Sequence, residues 1–277
     1  MSPAEQPLLR VRGLSKAYVQ CRSYSRERHL VRAFDDVDLA VSPGATLAVV
    51  GESGAGKSSL GRCVALLEAP DSGKMWFEGK EVRQAAKSDL LQLRRKIQFV
   101  FQDPTAAMSP RFTAAEIIDE PLRIQHSLTK IDRRERALEL MRQVGLRTEW
   151  AKKTPREFSG GQRQRLAIAR ALALEPRLLI LDEALSSLDL ANQQLILKLL
   201  ADLQSQRSLT YIHISHDLRA VAEFADRVAV MCEGKIVEHR RTADLFAHPR
   251  QAYTKSLLDA MPPLDTILSG RSHRETA

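Results

Sequence analysis

The chain has 277 residues, 44% hydrophobic and 27% charged, with a formal net charge of +8 at pH 7. This is an ordinary globular balance with room for one large domain or two small ones. No apolar run approaches the roughly 18 residues that cross a bilayer, and the opening Met1-Ser2-Pro3-Ala4-Glu5-Gln6-Pro7 lacks the basic-then-apolar order of a secretory signal.

In chain order, residues 8–12 alternate as a strand and residues 38–41 as another, ending at the turn Ser42-Pro43-Gly44. Between them residues 20–32, polar and Arg-rich, read as an exposed loop insertion. The apolar run Leu47-Ala48-Val49-Val50 is a strand, followed by Gly51-Glu52-Ser53-Gly54-Ala55-Gly56-Lys57-Ser58 and a helix beginning at Ser59-Leu60. Turns at Asp71-Ser72-Gly73 and Glu78-Gly79-Lys80 bracket a short strand over 74–77, so the opening third is β-rich around one strand–loop–helix unit. Residues 97–101 form a compact strand ending at Gln102-Asp103-Pro104. From Thr113 to Gly145 the pattern is helical, with Ala137, Met141 and Val144 on one face and Gly145 at a helix end, as in a separate helical subdomain. Ser159-Gly160-Gly161 opens a helix that stops before Pro176, and Leu178-Leu179-Ile180-Leu181-Asp182-Glu183 is a buried strand ending in two carboxylates. Ile196, Leu199, Leu200 and Leu203 mark a helix face, residues 210–214 a strand before Ser215-His216-Asp217, and residues 227–238 a closing hairpin. Alternating strands and helices predict an α/β fold with a mainly parallel sheet, and residues 265–277 read as a loose polar tail.

The loop at 51–58 is a complete G-x-x-x-x-G-K-[ST] pattern in the strand-then-helix context that gives it meaning. Its glycines let successive N–H groups converge on one point, and the helix adds its unsatisfied N-terminal donors. Lys57 supplies a mobile ammonium for the β- and γ-phosphates, and the Ser58 hydroxyl can ligate Mg²⁺. Such loops need a second carboxylate-bearing strand to hold the metal through water, a role that fits Asp182. Glu183, one position further, can polarise a water for attack on the γ-phosphate.

Cys21, Cys63 and Cys232 stand far apart with no metal-ligand spacing and read as reduced cytosolic thiols. The cations gather locally in residues 22–32, Arg94-Arg95-Lys96 and Arg240-Arg241. They read as solvated faces, and a place beside anionic inner-leaflet lipid also suits them. No aromatic-interleaved basic stripe of the nucleic-acid kind is present.

Phe158-Ser159-Gly160-Gly161-Gln162 resembles the signature of ATP-binding cassette (ABC) ATPases. Gln102, Asp182-Glu183, Ser187-Leu188-Asp189 and Ile214-Ser215-His216-Asp217 stand in that family's order. The resemblance spans 8–260 as one ATPase domain, followed by the short tail 261–277. It implies a RecA-like P-loop core, an N-terminal antiparallel β subdomain and a helical subdomain inserted at about 104–170. It also assigns roles. Gly51, Glu52, Ser53, Gly54, Ala55, Gly56, Lys57, Ser58 and Ser59 would bind ATP, with Tyr18 stacked on the adenine. Ser58, Gln102 and, through water, Asp182 would serve Mg²⁺; Glu183 would be the general base, His216 would contact the γ-phosphate, and Gln102 would also connect to the membrane subunit. Ser159, Gly160, Gly161 and Gln162 would face an ATP held by a second cassette, in a head-to-tail pair whose interface includes Asp189.

More narrowly, residues 100–104, 108–111, 157–165 and 248–254 resemble the peptide/nickel importer branch, and the insertion at 20–32 resembles its second, F-type ATPase subunit. Ala184-Leu185 departs from the Pro-Thr common after the Asp-Glu pair. No cysteine follows Cys232, so no iron–sulfur cluster is expected. The resemblance implies an ATP-hydrolysing subunit at the cytoplasmic face of the inner membrane. It would power uptake of peptides or a nickel complex with two membrane-spanning permease subunits, a substrate-binding protein and a second ATPase, identical or paralogous, and with no nucleic-acid partner. The rival is a soluble ABC ATPase acting on nucleic acid, a class that ordinarily carries coiled-coil arms, zinc modules or two fused cassettes; sustained heptads and cysteine pairs are missing from this sequence.

Overall fold

The structure is a computed structural model and describes residues 6–21, 28–82, 87–124 and 128–260. The chain splits into two compact units, one of Met1–Ala85 with Ile212–Ala277, the other Ala86–Tyr211.

The first unit carries an antiparallel sheet of order β2-β1-β4-β5, built from β1 (Leu9–Cys21), β2 (Arg28–Val41), β4 (Ser72–Phe77) and β5 (Lys80–Glu81). The register of β1 and β2 runs from Leu9 opposite Val41 out to Cys21 opposite Arg28. Gln20, Cys21 and residues 28–32 are therefore strand, not the loop that their polar composition predicts; residues 22–27 lie outside the described residues. Tyr18 opposite Val31 and Val19 opposite Leu30 supply cross-strand pairs that carry the ladder outward, and pairing overrides composition here.

The same unit holds strands in the order β10-β9-β3-β8: β3 (Thr46–Val50), β8 (Thr210–Ile214, whose first two residues belong to the second unit), β9 (Arg227–Cys232) and β10 (Lys235–Arg241). β3 runs parallel to β9, and β9 turns back antiparallel into β10. Every residue of β3 is buried, because both faces are covered. On one side Val49, Leu60 and Val64 of α1 (Lys57–Val64), and Ile212 and Ile214 of β8 surround one small apolar space. On the other, Ala48 and Val50 join Val221 of α7 (Leu218–Phe224) and Leu245 of α8 (Thr242–Ala247). Tyr253 and Leu257 of α9 (Ala252–Asp259) pack against that cluster. Cys63 of α1 is buried, and burial pushes its thiol up to about 12, so it stays protonated.

In the second unit, α2 (Lys87–Lys96) leads into β6 (Ile97–Val100), which runs parallel to β7 (Leu178–Asp182). The predicted helical stretch from Thr113 to Gly145 is two helices, α3 (Ala114–Ile124) and α4 (Lys130–Gln143). A new helix starts because Thr129 and Asp132 form a reciprocal capping box that satisfies the N-terminal donors of α4. It ends where Gly145, at φ 72°, lets Leu146 N–H reach the Met141 carbonyl at 2.8 Å. Ile117, Ile118, Leu140 and Met141 are buried where α3, α4 and α5 (Gly160–Leu172) meet, with Leu166 from α5. Arg133 ties α4 to Asp119 at 2.6 Å, and Arg170 ties α5 to Glu120 at 2.9 Å.

His213, in the middle of β8, is 1% exposed, and neither ring nitrogen has a hydrogen-bond partner among the described residues. Its ring meets Phe224 edge-on at 5.9 Å. Burial pushes its pKa down to about 4, against a small opposing pull from Asp217. The unfolded chain, with an ordinary imidazole near ~6.5, takes up the proton first as pH falls. Stability should therefore be full above about 6.5 and drop towards about 4, with about 2 kcal/mol lost by about pH 5. Urea midpoints at pH 7.5 and 5 should show this slope in the native protein and a much flatter one in His213→Leu.

Candidate functional site

The phosphate loop leaves the buried end of β3 at Val50 and enters α1 at Lys57. Gly56 is the N-cap of α1 at φ 98° and supplies no side-chain cap, so the helix start offers backbone donors alone. A Cβ on Gly56 would lie 2.0 Å from the Ala33 carbonyl oxygen of β2. Glu52, Ser53 and Gly54 are exposed, Ala55 and Lys57 are buried, and Ser58 and Ser59 are half-buried. The Lys57 ammonium donates to the Gly51 carbonyl at 2.8 Å and the Glu52 carbonyl at 2.7 Å. Two carbonyls of the loop itself thus help to hold its charge.

Tyr18 lies on β1 of the same unit. Its hydroxyl donates to the Glu68 carboxylate, and the Lys16 ammonium sits 5.6 Å from its ring centroid. Lys16 is anchored in turn by Ala69 O at 2.9 Å and Asp71 at 3.2 Å. Burial, reinforced by the bond to Glu68, holds the Tyr18 hydroxyl protonated above its ordinary range. Glu68 and Lys16, which fix this ring, carry no motif and were missed in the sequence.

Beyond β8, Ser215 N–H donates to Val49 O at 3.2 Å, fixing the turn beside the strand that feeds the loop. Asp217 N–H donates to Ser215 Oγ at 3.0 Å, and the Asp217 carboxylate caps α7 by accepting from Arg219 N–H at 2.9 Å. His216, between these two pinned residues, is exposed.

In the second unit, Asp182 ends β7 and is 4% exposed. Glu183 follows in the left-handed region, φ 46°, where a residue with a Cβ is strained. A turn holds it there: Ser186 N–H and Ser186 Oγ both donate to the Glu183 carbonyl, at 3.1 and 2.9 Å. Gln102 Nε2 donates to Glu183 Oε2 at 3.0 Å. That commits the Nε2 end of the amide to the carboxylate. Ala184 and Leu185, where the branch pattern has Pro-Thr, are both buried.

Ser159 is the N-cap of α5; its hydroxyl accepts from Gln162 N–H, and Gln162 Oε1 accepts from Ser159 N–H at 2.9 Å. Two of the four signature residues therefore also build the helix end. Gly161 packs against Asn192, whose side-chain oxygen lies 2.9 Å from where a Cβ would stand. Asn192 in turn donates through Nδ2 to Asp189 at 2.7 Å and through its backbone N–H at 2.9 Å. Those bonds hold the Asp189 carboxyl below the usual carboxylate range. Asp189 caps α6 (Leu190–Arg207) and is joined to Gly161 through Asn192, a residue without a sequence signal.

The Ser58 hydroxyl in the first unit, and the Gln102 amide oxygen and Asp182 carboxylate in the second, are each hard oxygens of the kind Mg²⁺ takes. No group of three or more His, Cys, Asp or Glu able to hold a metal occurs among the described residues.

Residues 34–186 match the family model described as ABC transporter. The chain is 44% identical over 261 residues to the dipeptide transport ATP-binding protein DppF of Escherichia coli (strain K12), covering 94% of this chain and 78% of that protein. It is 46% identical over 259 residues to the probable peptide ABC transporter ATP-binding protein y4tS of Sinorhizobium fredii, covering 93% and 73%. Among solved structures it resembles the dimeric post-hydrolysis state of the ATP-binding cassette MJ0796 bound to ADP and Pi, with TM-score 0.74 and 28% identity, covering 84% of this chain and 98% of that one. It also resembles cbiO1 from Clostridium perfringens, part of the ABC transporter complex cbiONQ, with TM-score 0.75 and 28% identity, covering 88% and 92%.

The loop geometry separates two glycines. Gly54, at φ 84°, has nothing within 4 Å of a would-be Cβ, so Gly54→Ala meets only the left-handed backbone penalty of about 1 kcal/mol. Gly56→Ala must also push the loop off the backbone of β2. Calorimetric titration with ATP should show a several-fold weaker Kd for Gly54→Ala and a loss of more than about tenfold for Gly56→Ala; equal losses would refute this account of the loop's seating.

Proposed function

This chain belongs to the ABC transporter family as an ATP-binding, ATP-hydrolysing cassette, and we propose that it powers the import of peptides. The observation that carries this reading is the 44–46% identity, over more than nine-tenths of the chain, to ATP-binding proteins of dipeptide and peptide transport. The nucleic-acid alternative draws no support from these relatives, and peptides are favoured over a nickel complex for the same reason.

In this reading Gly51–Ser59 binds ATP, with Lys57 on the phosphates and Tyr18 against the base. By the family resemblance Ser58, Gln102 and Asp182 would serve Mg²⁺, which when bound would offset charge on the phosphate oxygens. Glu183 takes a proton from the attacking water, and its hydrogen bond from Gln102 orients the carboxylate. The exposed His216 contacts the γ-phosphate. Ser159, Gly160, Gly161 and Gln162 serve the ATP of a second cassette, paralogous by the branch resemblance, with Asp189 at the shared interface. ATP closes that pair and hydrolysis releases it, so nucleotide state biases a two-state element. No helix among the described residues is long and apolar enough to cross a membrane. The passage is therefore assigned to two permease subunits, supplied by a substrate-binding protein, with this chain peripheral at their cytoplasmic face.

Glu183→Gln keeps an oxygen for Gln102 but lacks a basic carboxylate. ATP Kd should stay within about twofold of native while phosphate release falls by about 100-fold or more; native turnover would remove Glu183 from the role of base. For the cargo, cells lacking this chain should lose uptake of a labelled dipeptide and regain it with the native chain but not with Glu183→Gln. Loss of nickel uptake with dipeptide uptake intact would overturn the peptide assignment.

A further inference from the structure

The loop is touched by a side chain from the far end of the described chain. Glu52 N–H donates to the Tyr253 hydroxyl at 3.0 Å, across 201 residues of sequence. That N–H belongs to the same peptide unit as the Gly51 carbonyl, which accepts from Lys57 at 2.8 Å. In a trans peptide the two groups point in opposite directions. One peptide plane is thus gripped from both sides, by Lys57 within the loop and by Tyr253 from outside it. Tyr253 lies in the first turn of α9, beyond residues 34–186 matched by the family model.

Tyr253 is itself well placed to hold. Its ring packs on the cluster that includes Ala48 and Val50, the strand residues directly beneath the loop. The first turn of α9 is fixed by Glu238 of β10, 7% exposed, whose carboxylate accepts from Arg250 N–H at 3.1 Å and Gln251 N–H at 3.0 Å. Burial alone would raise the Glu238 pKa, but these donors outweigh it and hold the group below its ordinary range, so it stays an anionic cap. The hairpin carrying Glu238 also touches the loop, through Gly234 N–H to Ala55 O at 3.2 Å.

We propose that Tyr253 is a positioning residue for ATP binding: its hydroxyl orients the Gly51–Glu52 peptide so that the carbonyl faces Lys57, making α9 a working part of the nucleotide site. The inference rests on residues 51–58 being the ATP loop. Without the hydroxyl, the Glu52 N–H loses this acceptor and the Gly51 carbonyl keeps its bond from Lys57, the side chain that must turn to the phosphates when ATP arrives. The loop then loses its fixed shape at that moment, and ATP binds less tightly.

Tyr253→Phe in the full chain removes the hydroxyl and keeps the ring on its cluster. ATP Kd by calorimetry and KM should both rise by about two- to tenfold, the span of one neutral hydrogen bond, with kcat at saturating ATP unchanged. Hydrogen exchange at the Glu52 amide should speed up while the melting temperature of the nucleotide-free protein holds. Unchanged Kd and unchanged Glu52 exchange would overturn the proposal, as would a lower melting temperature with native Kd, which marks a purely structural side chain. Lys57→Ala, measured alongside, separates the two levels. If it binds ATP as tightly as the native chain, the loop assignment itself fails; if it loses binding while Tyr253→Phe does not, only the tether fails.

Discussion

Backbone lying directly on backbone is the constraint on which the phosphate loop depends. The Ala33 carbonyl stands where Gly56 would carry a Cβ, and the Met231 carbonyl stands 2.0 Å from where Gly51 would carry one. β2 on one side and the end of β9 on the other therefore leave a slot only a bare main chain can enter. Both sides matter, because a nest of N–H groups has value only if its curvature is set before the anion arrives. The covering of β3 on both faces is part of the same arrangement. A strand buried throughout cannot shift along its axis without unpacking α1 and α7 together, so the point where the loop begins is fixed.

Elsewhere, residues of the family motifs also carry local structure. Ser159 and Gln162 close the N-terminus of α5, Asp189 that of α6, and Asp217 that of α7. In each case a polar side chain defines where a helix starts and so where its first donors lie. A motif of this kind is legible in a sequence for two reasons at once, since the chemistry and the cap require the same few residue types.

That double signal explains how much of this protein could be read in advance. The strand–loop–helix order at 47–60, the carboxylates ending β7, the turn after β8 and the closing hairpin all follow from local patterns. Residues 20–21 and 28–32 did not, because a ladder between strands is decided by the partner strand and leaves little mark on polar composition. The two-helix break in 113–145 turned on one Thr–Asp cap. The supports of the candidate site were less legible still: Glu68 under Tyr18, Asn192 between Gly161 and Asp189, and Tyr253 on Glu52 act across 50 residues, across a turn and across 201 residues. Such contacts are properties of the folded arrangement, and a periodicity or spacing rule has nothing to detect.

Glu183 illustrates a different economy. Its left-handed backbone costs about 1–2 kcal/mol that a glycine there would not incur, yet that conformation accompanies its bond from Gln102. In the proposed reading the group that takes the proton also carries backbone strain, so stability and turnover are set against each other at this one position.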